Sequence, residues 1–181
     1  MKGTALYNLY KQGKFNALER KEAAEVIAEF KKHIPYWNRI MRVQRDIPTN
    51  ATEAGVDRTN LRQYVEKELD RKKIICRCIR CREAGLMSRE RSIVTKELKL
   101  FVEKYEASKG TEFFISFEDS KRELLFGYCR LRFPSQVLRK EITEKSALLR
   151  ELHVVGTALG LGEEGNIQHK GLGRKLLEQA E

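Results

Sequence analysis

The sequence contains no run of about twenty apolar residues, so it predicts no membrane-spanning helix and no membrane partner. Its first residues, MKGTALYNLYKQGKF, have neither the continuous apolar core nor the small-residue cleavage site of a signal peptide. Internal repeats and low-complexity runs are also missing. These absences predict a cytoplasmic protein whose four cysteines stay reduced, because disulfides are rare in that compartment.

Acidic residues are outnumbered: 26 Asp and Glu stand against 36 Lys and Arg, which gives a net charge of +10. The hydrophobic content of 41% excludes a disordered tail, and 181 residues fit one domain or a small domain with a linker module. The excess of basic residues predicts an anionic partner, foremost a nucleic acid. A basic surface without a partner is the alternative.

The first part of the chain has the apolar spacing of two helices. One is predicted over residues 17–33 and ends before Pro35, and the other is predicted over residues 59–73 with Thr59 or Asn60 as its N-cap. Between them, alternating apolar and basic residues over 39–47 predict a short strand with exposed arginines. Inward positions are predicted to be Ala23, Ile27, Phe30 and Ile34 in the first helix and Leu61, Tyr64, Val65 and Leu69 in the second.

After residue 90 the apolar pattern changes to the period of strands. Strands are predicted near Leu98, Leu100 and Val102, at 111–117 after a Lys109-Gly110 turn, and at 124–133 before Pro134, which together form an antiparallel meander. A further strand over 148–155, a glycine-rich connection over 156–166 and a helix that opens around Gly171 follow. The fold class is therefore α+β.

The closing stretch QHKGLGRKLLEQAE, residues 168–181, has the composition of a phosphate-binding helix start. The first N–H groups of a helix are unpaired and carry partial positive charge, and glycines there let a ligand approach the backbone closely. The residues of this predicted cradle are Gln168, Lys170, Gly171, Gly173 and Arg174. A dinucleotide-binding fold would require GxGxxG and a parallel sheet, which the antiparallel meander does not provide.

The hexapeptide QHKGLG resembles the Q/R-x-x-G-x-G/A motif of the GNAT acetyltransferase superfamily. That resemblance implies that backbone amides of the motif, including that of Leu172, hold the pyrophosphate of acetyl-CoA. It also implies that the strand LHVVGTAL lines the pantetheine arm and the thioester through Leu152, Val154 and Val155. An ordinary glycine-containing helix start is the alternative for the hexapeptide alone.

A wider resemblance covers essentially the whole chain. The segments RVQRDIP, NLR at 60–62, CRCIRCREAG, LRFP and RELHVVG occur in the order and spacing of the Elongator-type family of tRNA wobble-uridine acetyltransferases, which join a radical-SAM domain to a GNAT-like domain. The resemblance implies an acyltransferase that attaches an acetyl-derived carboxymethyl group to carbon five of the wobble uridine. Its implied partners are acetyl-CoA, the anticodon region of tRNA and other Elongator-type subunits.

The same resemblance divides the chain into three regions. Residues 1–75 correspond to a helical tail of the radical-SAM region with a basic linker, 76–90 to a cysteine-rich zinc linker, and 91–181 to the first part of the acetyltransferase domain. Because the sequence contains no CxxxCxxC motif, an iron–sulfur cluster and S-adenosylmethionine are expected only in a domain outside this chain. The tyrosine-containing segment that family members carry near the thioester is not found, so we expect an inactive fragment.

Cys76, Cys78 and Cys81 form a C-x-C-x-x-C pattern that can converge on one zinc ion. Their neighbours Arg77, Arg80 and Arg82 favour the thiolate form. The fourth ligand is open between Cys129, His33, the domain outside this chain and water. Three reduced cysteines without metal, or an iron–sulfur cluster, are the alternatives.

Arginines near aromatic residues predict an RNA-contacting surface, because guanidinium groups pair with phosphates and both side-chain types stack on unpaired bases. Tyr36 and Trp37 lie among these arginines, although Trp37 is expected to pack in the core. A solvated helix face is the alternative for any single residue. The predicted RNA-binding residues are Arg39, Arg42, Arg45, Arg62, Arg77, Arg80 and Arg82.

His153 and Glu151 are the candidate catalytic residues, because they lie on the strand next to the expected thioester and share one face of it. A packed histidine without catalytic function is the alternative for His153. Two other functions remain open for the chain: a tRNA-binding module without catalysis, and a protein lysine acetyltransferase.

Overall fold

The computed structural model describes residues 2–44, 47–87, 97–137, 139–155 and 171–181. It divides into two compact units, residues 1–80 and 81–181. Within the described ranges, no helix is both long and apolar enough to cross a bilayer. The helices are α1 (Ala5–Lys11), α2 (Arg20–Lys32), α3 (Leu61–Lys72), α4 (Ile79–Arg82), α5 (Ala84–Met87) and α6 (Leu172–Ala180), and the strands are β1 (Lys99–Ala107), β2 (Gly110–Glu118), β3 (Leu125–Phe133) and β4 (Leu148–Val154).

The first unit is built on the pairing of α2 with α3, which confirms both predicted helices with slightly shorter boundaries. A capping box starts α2: the Glu22 carboxylate accepts from the Glu19 backbone N–H at 3.0 Å, and the Glu19 side chain accepts in return. On α3, Leu61, Val65 and Leu69 are buried at a spacing of four residues, as predicted.

The prediction that Phe30 faces inward is wrong, because its side chain is 59% exposed. Of the other predicted inward positions, Ala23 and Ile34 are buried and Ile27 is half-buried. The buried positions of α2 also include Ala24, Ala28 and Lys31. Small alanine side chains let two helix backbones approach closely, whereas a phenylalanine on the same face would hold them apart. Packing against α3 therefore moves the centre of the buried face toward the alanines and leaves Phe30 outside it.

The predicted strand over 39–47 is wrong for residues 39–44, which have irregular backbone. The Arg62 guanidinium donates to the carbonyl oxygens of Ile40 at 3.1 Å and Met41 at 3.0 Å. Among the described residues of the first unit there is no strand that could pair with this segment. A side chain therefore takes the hydrogen bonds that a strand would exchange with a neighbour.

The second unit contains a four-stranded antiparallel sheet in the order β1-β2-β3-β4, which confirms the predicted meander and the α+β class. Its first turn differs from the prediction by one residue. Ser108 and Lys109 occupy the turn with φ of 47° and 62°, and Gly110 already pairs with Ala107 in the sheet. Gly110 is required there because a Cβ would lie 2.7 Å from the Phe133 carbonyl oxygen.

Helix α6 covers one face of the sheet and begins after Gly171, as predicted. Leu176 is fully buried against Ile115 and Cys129, and Leu172 packs with Ala84 and Phe126. On the opposite face of β2, alternate side chains are also buried although three of the four are polar. These residues are Glu112, Phe114, Ser116 and Glu118. The predicted connection over 156–166 lies outside the described residues.

Candidate functional site

The sulfur atoms of Cys76, Cys78 and Cys81 lie within 4.8 Å of one another. Helix α4 begins immediately after Cys78, and its turn brings Cys81 back over the residue three positions earlier. A zinc ion with Zn–S bonds of about 2.3 Å places its sulfur ligands roughly 3.8 Å apart, so the three thiols fit one metal ion with small rotations. Local backbone geometry thus produces the convergence that the spacing predicts.

Neither protein candidate for a fourth ligand belongs to this group of side chains. His33 is exposed at the C-terminal end of α2. Cys129 is fully buried on β3, its sulfur lies 3.6 Å from the Leu176 carbonyl oxygen, and burial raises its pKa to about 11. Because a metal ligand must be the thiolate, these contacts suit a core thiol better than a ligand.

Arg82, which follows the last cysteine of the group, has a different role from the one predicted. Its side chain is 3% exposed, and a guanidinium nitrogen lies 2.7 Å from an oxygen of the buried Glu118 carboxylate. A guanidinium in this position cannot face a phosphate or a base. The prediction that Arg82 contacts RNA is therefore wrong, and Glu118 is a residue that the sequence analysis missed.

Helix α6 begins at a left-handed glycine and leaves its first backbone N–H groups outside the helical hydrogen bonds. Gly171 is the N-cap with a φ of 72°, and the first intrahelical bond runs from the Lys175 N–H to its carbonyl oxygen at 3.0 Å. The N–H groups of the three residues between them therefore precede the helical ladder. A Cβ on Gly171 would meet nothing within 4 Å, and one on Gly173 would meet only the Val154 side chain, at 3.7 Å.

The other predicted cofactor residues differ in their exposure and in the groups that they can present to a ligand. Arg174 is 84% exposed on its side chain and pairs with Glu178 one turn later. The Leu172 side chain is buried in the core, so only its backbone can face a ligand. Gln168 and Lys170 lie outside the described residues.

Strand β4 presents its predicted cofactor residues at the side of the sheet next to α6. Val154 packs against the core cluster that contains Leu172, while Leu152 is 40% exposed. The Val155 N–H donates to the Phe126 carbonyl oxygen at 2.9 Å, which continues the pairing of β4 with β3. The end of β4 therefore packs against the start of α6, and the two form a corner at this side of the sheet.

The candidate catalytic residues lie on the other face of β4. His153 is exposed and its ring lies 5.3 Å from that of Tyr128. Glu151 is bound by Arg130, whose Nε lies 3.1 Å from a carboxylate oxygen. The imidazole is thus accessible from solvent, whereas the Glu151 carboxylate is paired with a cation.

Glu151 belongs to a polar network that the sequence analysis did not identify. Arg130 also donates to the Tyr105 hydroxyl at 2.8 Å, and that hydroxyl donates to Glu112 at 2.6 Å. The pKa of Tyr105 is raised to about 12, first by burial and then by this hydrogen bond. The alternation of polar residues along β2 was the available signal, but polar positions in a strand ordinarily indicate a solvent face.

The remaining predicted RNA-binding residues lie in the first unit. Arg42 and Arg77 are exposed, and the Arg77 guanidinium lies 5.4 Å from the centre of the Tyr36 ring. Arg39, Arg62 and Arg80 are half-buried, as is Trp37, while Arg45 lies outside the described residues. Arg62 is held by backbone carbonyl groups, as described above.

Comparison with known proteins gives consistent results over the chain. The family model described as "Radical_SAM C-terminal domain" matches residues 1–71. The "tRNA uridine(34) acetyltransferase" of Methanocaldococcus infernus is 44% identical over 100% of this chain and 35% of its own length. "Elongator complex protein 3" of Saccharomyces cerevisiae is 36% identical over 100% of this chain and 33% of its own length.

A solved structure of the archaeal Methanocaldococcus infernus Elp3, with an N-terminal deletion, superimposes with a TM-score of 0.90 at 43% identity. The superposition covers 99% of this chain and 43% of that one. The chain thus spans about a third of the length of the curated relatives named above.

Proposed function

Because the chain belongs to the family of tRNA uridine(34) acetyltransferases and Elongator complex protein 3, we propose that it supplies part of an acyltransferase that modifies the wobble uridine of tRNA at carbon five. The observation that carries this proposal is the corner between β4 and α6, with its left-handed Gly171 at a helix start. The chain is the segment that provides the acetyl-CoA cradle and a basic surface for the tRNA anticodon region.

Acetyl-CoA supplies the acetyl group as a thioester when it is bound. The N–H groups at the start of α6 hold its pyrophosphate, and Arg174 adds a positive charge beside it. The absence of a Cβ at Gly171 and Gly173 leaves the backbone accessible. We include Gln168 and Lys170 in the cradle on the sequence motif alone.

His153 is the proposed base or water-positioning residue, and Glu151 assists it through the charge network of the same strand face. The basis is the exposure of the His153 imidazole beside Tyr128, which leaves the ring accessible. In a complete family protein, His153→Ala is expected to reduce tRNA-stimulated acetyl-CoA hydrolysis. Unchanged hydrolysis would remove His153 from the mechanism.

The three clustered cysteines are proposed to hold a structural zinc ion, with a fourth ligand that is still to be identified. The fit rests on the sulfur spacing and on the soft thiolate donors that zinc prefers. A zinc clip stabilises a short segment that has few apolar side chains of its own. Thiolate ligands suit a reducing compartment, which agrees with a cytoplasmic location. An iron–sulfur cluster with S-adenosylmethionine is assigned to the radical-SAM domain of the longer family proteins.

The test of the cradle is a calorimetric titration of acetyl-CoA into the purified chain, with desulfo-CoA as a second ligand. Gly173→Asp places a carboxylate in the first turn of α6, where it favours the helix but repels a pyrophosphate. We expect its affinity to fall by roughly tenfold or more. Gln179→Asp is the matched control: it adds the same charge at the far end of α6 and is expected to leave affinity unchanged.

The outcomes separate the candidate functions. Equal affinities for wild type and Gly173→Asp would show that the cradle is misplaced. If the wild-type chain binds no acetyl-CoA but binds a tRNA anticodon stem-loop, the chain is an RNA-binding module instead. Acetyl transfer to lysine peptides with no binding of the stem-loop would favour a protein acetyltransferase.

A further inference from the structure

Glu118, the last residue of β2, is the centre of a buried charge network. Its carboxylate is 0% exposed and accepts from the Ser116 hydroxyl at 2.7 Å. Arg122 donates to both of its oxygens, at 2.9 and 3.3 Å, and also pairs with Glu103 on the neighbouring strand. Arg82 lies 2.7 Å from one of the same oxygens. Two guanidinium groups and two carboxylates thus balance one another, with Glu118 and Arg82 buried and with Glu103 and Arg122 partly exposed.

This network acts on the segment that carries the cysteines. Arg82 is bonded covalently to Cys81, and the next residue, Glu83, forms a parallel bridge with Leu125 at the start of β3. Because Arg82 is almost fully buried, its ion pair fixes the position of its backbone more strongly than an exposed pair would. The Cys81 end of the cysteine group is therefore held on the sheet by a charge at the end of β2.

We propose that Glu118 is a positioning residue for the metal site, holding the Cys81 thiolate in the place that a zinc ion requires through its ion pair with Arg82. Zinc binding needs three sulfur atoms at short mutual distances, and a shift of Cys81 by about 1 Å would lengthen a bond beyond the usual tolerance of ±0.2 Å. Groups that orient metal ligands without touching the metal ordinarily change metal affinity by about 10–100-fold when they are mutated.

The experiment measures zinc affinity of the purified chain by competition with a chromophoric chelator. In Glu118→Gln the guanidinium of Arg82 loses the negative charge of Glu118, and we expect zinc affinity to fall by about 10–100-fold. Glu112→Gln is the matched control, because Glu112 is a buried carboxylate on the same strand and face whose partners are Arg132, Arg150 and Tyr105. It is expected to bind zinc with wild-type affinity.

A second measurement separates positioning from general loss of stability. Cobalt(II) replaces zinc in thiolate sites and reports coordination geometry through its visible absorption. We expect the cobalt spectrum of Glu118→Gln to differ from that of the wild type, while Glu112→Gln keeps the wild-type spectrum. If circular dichroism shows that Glu118→Gln does not fold, Arg82→Lys takes its place in the experiment. Lysine keeps the positive charge but lacks the planar fork of the guanidinium. We therefore expect smaller changes in zinc affinity and in the cobalt spectrum.

Because this role presupposes the zinc site proposed above, the two can fail separately. A wild-type chain that binds neither zinc nor cobalt would overturn the zinc site itself. The positioning role alone would be overturned if the wild type binds zinc and Glu118→Gln matches it in affinity and spectrum. Equal losses of affinity in Glu118→Gln and Glu112→Gln would also overturn it.

Discussion

Cys129 differs from the other three cysteines in its surroundings. It lies at the centre of the sheet, fully buried between Ile115 and Leu176, and burial raises its pKa to about 11. The cysteines of the metal group instead follow one another within six residues, and their sulfur atoms lie within 4.8 Å of one another. The same residue type is therefore a packing group in one place and a candidate ligand in the other.

The raised pKa of Cys129 predicts a loss of stability in alkali. The thiol is neutral in the folded chain up to about pH 11 but ionises near pH 8.5 when unfolded, so its contribution is fully present below pH 8.5 and disappears as pH rises toward 11. The variant Cys129→Ala lacks the thiol and therefore lacks this pH-dependent contribution to stability. We expect the free energy of unfolding, measured in urea from pH 8 to 10.5, to fall less steeply in the variant; parallel curves for the two proteins would contradict the assignment.

At the scale of the element, the β1–β2 hairpin places two non-glycine residues in the left-handed conformation that favours glycine. Ser108 and Lys109 both have positive φ, the geometry of a type I′ turn, for which Asn-Gly is the preferred pair. The turn is maintained because nine residue pairs extend from it in the sheet, from Ala107 with Gly110 outward to Lys99 with Glu118. Strand pairing thus outweighs the local cost of the turn.

Replacing the turn residues by Ser108→Asn and Lys109→Gly is expected to stabilise the chain by roughly 1 kcal/mol, because the left-handed conformation costs about 1–2 kcal/mol per ordinary residue. Chemical denaturation of the double variant measures the gain. Gly110→Ala is the comparison within the same hairpin: its Cβ would collide with the Phe133 carbonyl oxygen, so the midpoint is expected to fall. A lower midpoint for the Asn-Gly variant would contradict the turn assignment.

At the scale of the whole molecule, the net charge of +10 predicts binding to RNA that weakens steeply with salt. Each phosphate contact contributes about 0.7 to the slope of log affinity against log salt concentration for single strands. We expect Arg42→Ala to weaken binding of an anticodon stem-loop and to reduce that slope by about this amount. Arg71→Ala is the control, since Arg71 is exposed, pairs with Glu68 and lies outside the predicted RNA surface; equal effects of both variants would indicate binding by net charge alone.

Family membership is a property of the whole chain. It was predicted from five ordered motifs and is confirmed by relatives that match the full chain. Order and spacing of motifs are preserved in a linear sequence, so they can be read without coordinates. The chain spans about a third of the length of these relatives.

Features that depend on neighbours along the chain could be predicted from the sequence. Helix α3, the meander and the start of α6 follow from apolar period, turn residues and glycine, and the cysteines converge because they are separated by one or two residues. These features are local, so the alternatives are few.

Long-range packing determined which of several compatible partners each side chain contacts. Phe30 is exposed because α3 packs on the alanine face of α2. Residues 39–44 form no strand, and Arg62 donates to the carbonyl groups of two of them, Ile40 and Met41. Arg82 is buried where Glu118, distant in sequence, supplies the opposite charge inside the fold. A charge pattern cannot predict such a pair, because the cost of burying an arginine is offset only by a partner that the fold brings to it.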